Sequence, residues 1–211
     1  MIKKVHLVVA LVVCFLGMGF SCENPDVKSE PPVIDDRATY VSNEREIVID
    51  KPVSEVYRWV VFEPLQNQLK GTKKLPGVSS TKQLNNIELG KNGYRRLVCL
   101  SDGNSAIEEH IFIDPTADNV SQRYFSYKVW GYTLNLAQNI EYAKGEWWFT
   151  PMGDKTRIRW RYSFKLNPKK ILGRTGFLGR ALFNTFFVKS DYNDFMVSTL
   201  NKLKSDLEKN Q

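Results

Sequence analysis

Histidine is almost absent from this 211-residue chain, which holds only His6 and His110. His6 lies in an apolar N-terminal segment, so the rest of the sequence has a single imidazole. A zinc site built from three histidines is therefore excluded, and a Ser–His or Cys–His dyad would have to use His110. The sequence also lacks GxSxG, HExxH and CxxC motifs and a glycine-rich phosphate loop. We expect no metal, no cofactor and no catalytic residue, and we interpret His110 as a strand residue.

Cysteine is also scarce, and one of the three cysteines follows an apolar run. Lys3 and Lys4 precede the uncharged run 5–20, and Cys22 comes directly after Ser21. A bilayer-spanning helix needs about 20 apolar residues, and this shorter run at the N-terminus has the charge layout of a secretory signal. The letters GFSC resemble a bacterial lipobox, although Gly19 stands where leucine is usual. Residues 1–22 are thus predicted to be a lipoprotein-type signal with lipidation at Cys22; an ordinary signal or an uncleaved anchor helix are the alternatives.

The other two cysteines do not suggest a disulfide framework. Cys14 lies inside the apolar run, and Cys99 lies in YRRLVCL, which has the pattern of a buried strand. We expect Cys99 to be a small core residue and Cys22 to stay unpaired on a tether. A diacylated Cys22 would anchor the chain stably. The predicted location is the bacterial cell envelope, as a membrane-anchored lipoprotein, with a secreted or periplasmic protein as the alternative.

Composition predicts one domain behind a tether. Residues 23–41 are polar and hold three prolines, which is typical of a flexible linker, and residues 42–209 suit a single domain. The net charge is +7, and the stretch 155–190 has ten basic residues and no acidic one. This stretch is either a solvated face or a surface for anionic lipid headgroups. We expect no nucleic-acid partner for an exported chain.

The order of periodic segments predicts an α+β fold. A strand signal at 47–49 passes into a short helix after Pro52, and a second short helix is predicted near 65–69. Several strand signals follow, of which KTRIRWRYSFKL alternates most clearly between apolar and basic residues. A helical stripe at spacings of three and four fills the C-terminal part, including Leu182, Phe186 and Tyr192. We expect a curved antiparallel sheet of six to seven strands wrapped on a long C-terminal helix.

This order resembles the helix-grip proteins of the START-like, or SRPBCC, superfamily, which includes polyketide cyclases and the birch-pollen allergen family. EREIVIDKPVSEVYRWV is similar to the family's opening strand and helix, and GYRRLVCLSDGNSAIEEHIFID is similar to its central hairpin. The resemblance aligns the family's arginine with Arg96, its turn with Asp102–Gly103, its glutamate with Glu108 and its closing aspartate with Asp114. The segment GYTLNLAQNIEYAKG is longer than the family's tight turn and is predicted to hold an extra hairpin or lid.

The resemblance implies a cleft for a hydrophobic small molecule between the sheet and the long helix. Glu108 and Glu109 are adjacent on one strand, so they face opposite ways. Strand parity places Glu109 inside with the neighbouring isoleucines, whereas the resemblance places Glu108 inside, and a bulge would reconcile the two. The inward glutamate pairs with Arg96, contacts a ligand, or acts as an acid or base with a raised pKa. The candidate cavity residues are Arg96, Glu108, Glu109, Phe125, Tyr127, Trp148, Trp160, Tyr162, Phe186 and Phe195.

Three functions are compatible with these features. The first is a non-catalytic binding or transport module for a lipid-like molecule in the cell envelope, held at the membrane through Cys22 and the basic stretch 155–190. The second is an enzyme of the cyclase or aromatase type that uses a cavity glutamate. The third is a protein-interaction module of the envelope that uses the basic face of the last strand and helix.

Overall fold

A computed structural model describes Cys22 and residues 30–209 of the chain. The predicted signal 1–22 therefore lies outside the described residues apart from Cys22, as does the 23–29 part of the tether. The seven strands of the described part are β1 (Val41–Ile49), β2 (Val78–Gln83), β3 (Arg95–Leu100), β4 (Ser105–Ile113), β5 (Arg123–Trp130), β6 (Ile140–Met152) and β7 (Lys155–Leu166). They form one antiparallel sheet in the order β1-β7-β6-β5-β4-β3-β2.

Two short helices follow the first strand, as predicted. They are α1 (Val53–Phe62) and α2 (Leu65–Gln68). Pro52 immediately precedes α1, where its missing N–H leaves no helical hydrogen bond unmade. The buried side of α1 carries Val53, Val56 and Val60, which share one face at helical spacing.

The C-terminal helical segments lie on the concave face of the sheet. They are α3 (Ile171–Arg174), α4 (Phe177–Phe183), a π-helical segment (Asn184–Asp191) and α5 (Tyr192–Glu208). Helix α5 buries an apolar stripe that includes Tyr192, Met196, Leu200 and Leu203. The predicted helix-grip architecture is confirmed. The predicted stripe is wrong at its beginning, because Leu182 and Phe186 are exposed.

Strand β7 shows why the sheet has one apolar and one basic face. Ile158, Trp160 and Tyr162 are buried on the concave side, while Arg159 and Arg161 stack over the ring of Trp148 on the convex side at 4.2 and 5.5 Å. Successive side chains of a strand point to opposite faces, so the alternation in the sequence becomes two different surfaces. Among residues 30–209, no helix is long and apolar enough to cross a bilayer.

Residues 30–40 pack against the convex face, which differs from the predicted flexible tether. Ile34 and Tyr40 contact a cluster of buried residues that includes Ile107 and Tyr142. The Tyr40 and Tyr142 hydroxyls lie 2.8 Å apart, and the backbone N–H of Asp35 donates to the Tyr142 hydroxyl at 3.1 Å. Apolar side chains on the outer face of β4 and β6 need such a cover, since they would otherwise be exposed to water.

Cys22 and Cys99 form a disulfide with their Cα atoms 5.5 Å apart. The prediction that these two thiols stay unpaired is therefore wrong for this structure. Cys99 lies on the strand that also carries Arg96, but with the opposite parity, so its side chain is on the convex side where the N-terminal segment runs. A sulfur in a disulfide cannot also carry a thioether-linked lipid, so the disulfide and a lipidated Cys22 are two different species of the chain.

Candidate ligand-binding interior

The strand register places one row of polar and aromatic side chains across the concave face. His110 of β4 faces Tyr127 of β5, Tyr127 faces Gly145 of β6, and Gly145 faces Tyr162 of β7. A parallel row begins at Arg96 of β3, which faces Glu108 of β4. The center of the sheet therefore presents an ion pair beside a band of aromatic rings to the helix above it.

Arg96 and Glu108 form a buried ion pair at one side of this interior. Arg96 Nε and Nη2 donate to Glu108 Oε1 at 3.0 and 2.6 Å, and only 6% and 5% of the two residues is exposed. The pair also packs against aromatic rings, since the Arg96 guanidinium lies 5.9 Å from the center of the Tyr94 ring. Breaking such a pair leaves an uncompensated charge in an apolar surrounding.

The ion pair holds Glu108 in its charged form. Burial by itself raises the pKa of a carboxyl, but the charge of Arg96 and the nearby His110 outweigh it, so the pKa of Glu108 is lowered. A general acid or base needs a pKa near the working pH. The alternative of an inward glutamate with a raised pKa is therefore wrong for Glu108.

A bulge in β4 settles which glutamate faces inward. The pairing of β4 with β5 shifts between His110 and Phe112, so Ile113 returns to the concave side. Glu108 faces inward, while Glu109 lies on the convex side, where Arg95 Nη2 donates to its Oε2 at 2.6 Å. Ile107 shares the convex side with Glu109, where it lies under the N-terminal segment. The argument from strand parity was wrong because it assumed that every isoleucine of β4 faces the concave side.

Several buried polar atoms of the interior make no well-aligned hydrogen bond with a described residue. They are both ring nitrogens of His110, the Tyr132 hydroxyl oxygen, and the indole nitrogens of Trp147 and Trp160. His110 Nε2 lies 3.5 Å from Glu108 Oε1 without the geometry of a hydrogen bond. Nearly all buried polar groups of native proteins are paired, so a group of unpaired ones in one place is unusual. The Tyr132 hydroxyl lies near that of Tyr162, and the two indole nitrogens lie near the Tyr127 hydroxyl, so these groups have polar neighbours that are poorly aligned with them.

Tyr132 is a site residue that the strand patterns of the sequence did not reveal, because it lies outside the strands. Gly131 has a φ of +66°, a left-handed conformation that glycine adopts readily, and it turns the chain after β5. Tyr132 then packs against the main core, and burial together with the charge of Glu108 raises its pKa. The unusual length of the segment that follows β5 was the available signal. The structure places a short 3₁₀ helix (Asn135–Asn139) there instead of the predicted hairpin.

Gly145 lets two tyrosines approach each other across β6. A Cβ atom at Gly145 would lie 2.2 Å from Cζ of Tyr127, so only glycine leaves room for this ring. The rings of Tyr127 and Tyr162 have their centers 6.1 Å apart, on either side of the glycine. Burial and the charge of Glu108 raise the pKa of Tyr127, which places this phenol near the ion pair.

The remaining candidates divide between the interior and other surfaces. Phe125, Trp160 and Tyr162 lie in the buried core of the concave side. Phe195 is partly buried at its margin, with its ring 5.6 Å from that of Tyr192. Trp148 is a wrong candidate because it lies on the convex side.

Phe186 is also wrong as a cavity residue, because 72% of it is exposed on the helical segment. The apolar spacing in the sequence was misleading here, because the segment has apolar residues on two faces and only one of them is buried.

An open cleft of about 840 Å³ lies outside the grip, between α1 and the loop after β4. Its lining mixes Tyr57 with the charged residues Arg58, Asp114 and Arg123, and it contains none of the candidate cavity residues. Within Cys22 and residues 30–209, no group of three or more His, Cys, Asp or Glu residues is placed to hold a metal ion.

Comparison with known proteins identifies the fold. No protein-family profile and no curated protein sequence matches the chain. Among solved structures, Ara h 8.0201 is 13% identical with a TM-score of 0.57 and covers 81% of this chain and 99% of its own. A protein from Thermus thermophilus is 18% identical with a TM-score of 0.54, covering 81% of this chain and 99% of its own.

An enzyme is among these structures as well. A point mutant of norcoclaurine synthase from Thalictrum flavum, in complex with a transition state analogue, is 16% identical with a TM-score of 0.51 and covers 82% of this chain and 99% of its own. Together these likenesses show that the described chain has the helix-grip fold that these structures share. One of these structures is an enzyme and another is an allergen, so the fold does not decide the activity, which has to be argued from the interior.

Proposed function

We propose that the protein is a non-catalytic binding module for a hydrophobic, lipid-like molecule that enters between the sheet and the C-terminal helix. The observation that carries this proposal is the group of unpaired buried polar atoms around Arg96 and Glu108. Ligand sites are mostly apolar with a few polar groups that orient the ligand, and this interior has that composition.

The chemistry of the unpaired atoms suggests which polar group the ligand carries. The indole N–H groups of Trp147 and Trp160 can only donate, and the His110 ring and the Tyr132 hydroxyl can each supply a further donor. The charges of Arg96 and Glu108 offset each other, so the interior has no net attraction for a full negative charge. The proposed ligand is therefore an apolar molecule with a neutral acceptor oxygen, such as a carbonyl.

We further propose that the protein works in the cell envelope. The apolar run 5–20 behind two lysines supports export. The disulfide between Cys22 and Cys99 is a bond of oxidising compartments and supports export too. A membrane anchor through lipidated Cys22 needs the other species of the chain, in which Cys99 is a free thiol.

Native mass spectrometry of the full chain purified from its own membranes tests both parts. A bound mass that leaves on denaturation, with an absorption or fragment typical of a carbonyl-bearing apolar molecule, is the expected result. The mass of the unreduced N-terminal peptide then shows whether Cys22 carries acyl chains or is joined to the peptide that contains Cys99. A protein that is empty, and that also fails to bind a fluorescent fatty-acid methyl ester, would contradict the binding function.

A further inference from the structure

The segment between β7 and α5 exposes an unusual number of large apolar side chains. Phe177 and Phe186 are 80% and 72% exposed, and neighbouring apolar residues are exposed as well. The exposed apolar residues of this segment are Ile171, Phe177, Leu178, Leu182 and Phe186. Single exposed apolar residues are ordinary, but several on one short segment indicate a surface that binds something.

Helical spacing puts these residues on one side of the segment. Leu178, Leu182 and Phe186 follow one another at intervals of four along α4 and the π-helical segment, so they share a face. Phe183 and Val188 are buried on the other face, and the Phe183 ring lies 5.5 Å from that of Phe164 in the sheet. The segment therefore has two apolar faces, of which the inner one belongs to the core.

The 3₁₀ helix after β5 extends the outer face. Leu136 is 78% exposed, and its helix touches the segment where the Leu172 N–H donates to Asn139 Oδ1 at 3.4 Å. Exposed apolar side chains thus come from two connections, the one between β5 and β6 and the one between β7 and α5, and these two connections are in contact.

Cations surround this apolar face, and no anion accompanies them. The sequence has no acidic residue between Asp154 and Asp191. The basic residues of the segment are Lys169, Lys170, Arg174, Arg180 and Lys189. None of the five forms an ion pair with a described residue. Exposed apolar side chains beside unpaired cations complement a surface that is apolar inside and anionic at its boundary.

We propose that residues 169–189, together with Leu136, form a docking surface for a bilayer that contains anionic phospholipid. Helices that lie in the plane of a membrane combine Lys and Arg with Phe and Leu in this way. The apolar side chains would enter the acyl boundary, and the five cations would meet the headgroup phosphates. This docking surface is independent of the proposed ligand. If both the docking surface and the ligand site are real, the same segment contacts the bilayer with its outer face and Phe164 of the interior with its inner face.

Hydrogen–deuterium exchange of the full chain on vesicles tests this surface, because the exchange is read segment by segment. The vesicles consist of phosphatidylcholine alone, or of phosphatidylcholine and phosphatidylglycerol in equal amounts. Short exposed helices exchange quickly, so contact with lipid is visible as slower exchange. We expect slower exchange over 171–187 on the anionic vesicles only. The N-terminal apolar run is the same in every sample, so it does not account for a difference between variants.

Two pairs of variants separate docking from general charge and hydrophobicity. In the first pair, Lys169→Glu, Lys170→Glu and Arg174→Glu together should raise the lipid concentration for half-maximal protection at least about a hundredfold, because three attractive charges become repulsive. Its control reverses the exposed Lys82, Lys91 and Arg157, which lie elsewhere, and should leave the protection unchanged.

The second pair tests the apolar side chains. Phe177→Ser with Phe186→Ser should abolish the protection, while Val33→Ser with Val120→Ser, which are 86% and 82% exposed, should keep it. Unchanged exchange over 171–187 on anionic vesicles would overturn the proposal. So would protection that grows with protein concentration in the absence of vesicles, because a second copy of the chain would then cover this face.

Discussion

The replacement of Tyr132 by phenylalanine separates a ligand role of its hydroxyl from a structural one. The hydroxyl oxygen is buried and makes no well-aligned hydrogen bond with a described residue, although the Tyr162 hydroxyl is a neighbour. A buried polar group without a partner costs about 1–3 kcal/mol of stability. Tyr132→Phe removes this group and keeps the ring, so we expect the free energy of unfolding to rise by about 1 kcal/mol.

Ligand binding should change in the opposite direction. If the hydroxyl donates to a carbonyl of the ligand, its removal costs one neutral hydrogen bond, about 1 kcal/mol. This corresponds to an affinity about fivefold weaker. The measurement is a titration with a fluorescent fatty-acid methyl ester, beside urea unfolding of the same samples without ligand.

Tyr142→Phe is the matched control, since it removes the same hydroxyl from the convex face. The Tyr142 hydroxyl accepts from the Asp35 N–H and lies 2.8 Å from the Tyr40 hydroxyl. Its loss should lower the free energy of unfolding by about 1–2 kcal/mol, because the Asp35 N–H loses its acceptor while the Tyr40 hydroxyl keeps only its bond to the Asp35 carbonyl. Probe affinity should not change. The reasoning is refuted if Tyr132→Phe behaves like this control, with lower stability and unaltered binding.

Three further predictions test the ion pair, the close approach at Gly145 and the disulfide. Glu108→Gln should lower the free energy of unfolding by about 3–5 kcal/mol at neutral pH, since it leaves Arg96 buried without a counterion. Glu109→Gln on the convex face should cost less, about 1.5–3 kcal/mol, which is the range for losing a hydrogen bond to a charged group, because its 14% exposed side chain pairs with Arg95 and Lys128. The folded-state pKa of Glu108 is lowered from its ordinary value of 4.5, so the stability that the carboxylate contributes is complete above that pH and is lost in acid. The free energies of urea unfolding of wild type and Glu108→Gln should therefore converge as the pH falls, and a difference that stays constant would contradict the ion pair. Gly145→Ala should cost about 1–3 kcal/mol in the same assay because the added methyl group meets the Tyr127 ring, and an unchanged midpoint would show that this ring moves freely. Cys99→Ala should lower the free energy of unfolding by about 2–5 kcal/mol if the disulfide forms, whereas a protein that is equally stable with and without reductant would show that Cys22 is not joined to Cys99.

The layout of the fold could be predicted because local patterns and global architecture agree. The alternation in β7 and the apolar spacing of α5 are long enough to specify a strand and a helix without any neighbour. The inward position of Glu108 was harder to predict. Two arguments conflicted there, and the bulge at 110–112 that resolves them leaves no mark in a single sequence.

Contacts between distant segments could not be predicted from the sequence at all. Cys22 and Cys99 are 77 residues apart, and their pairing depends on the path of residues 30–40 over the convex face. The polar composition of that stretch suggested a linker, yet Ile34 and Tyr40 are enough to hold it on an apolar patch. Tyr132 shows the same limit, because a turn at Gly131 decides where its hydroxyl lies.

The basic stretch 155–190 shows how one feature of the sequence becomes two surfaces. In β7 the period of two sends the arginines to the convex face, where Arg161 pairs with Glu44 at 2.8 Å and stacks over Trp148. After Pro168 the period becomes helical, and the later cations stand beside exposed phenylalanines without ion-pair partners among the described residues. Three of the five basic residues of β7, Lys155, Arg161 and Lys165, already have an acidic partner, whereas none of the later cations has one among the described residues. We therefore expect the later cations to contribute more to any salt-dependent membrane binding. The basic stretch is therefore a strand face that belongs to the fold, followed by the helical face that carries the proposed membrane contact.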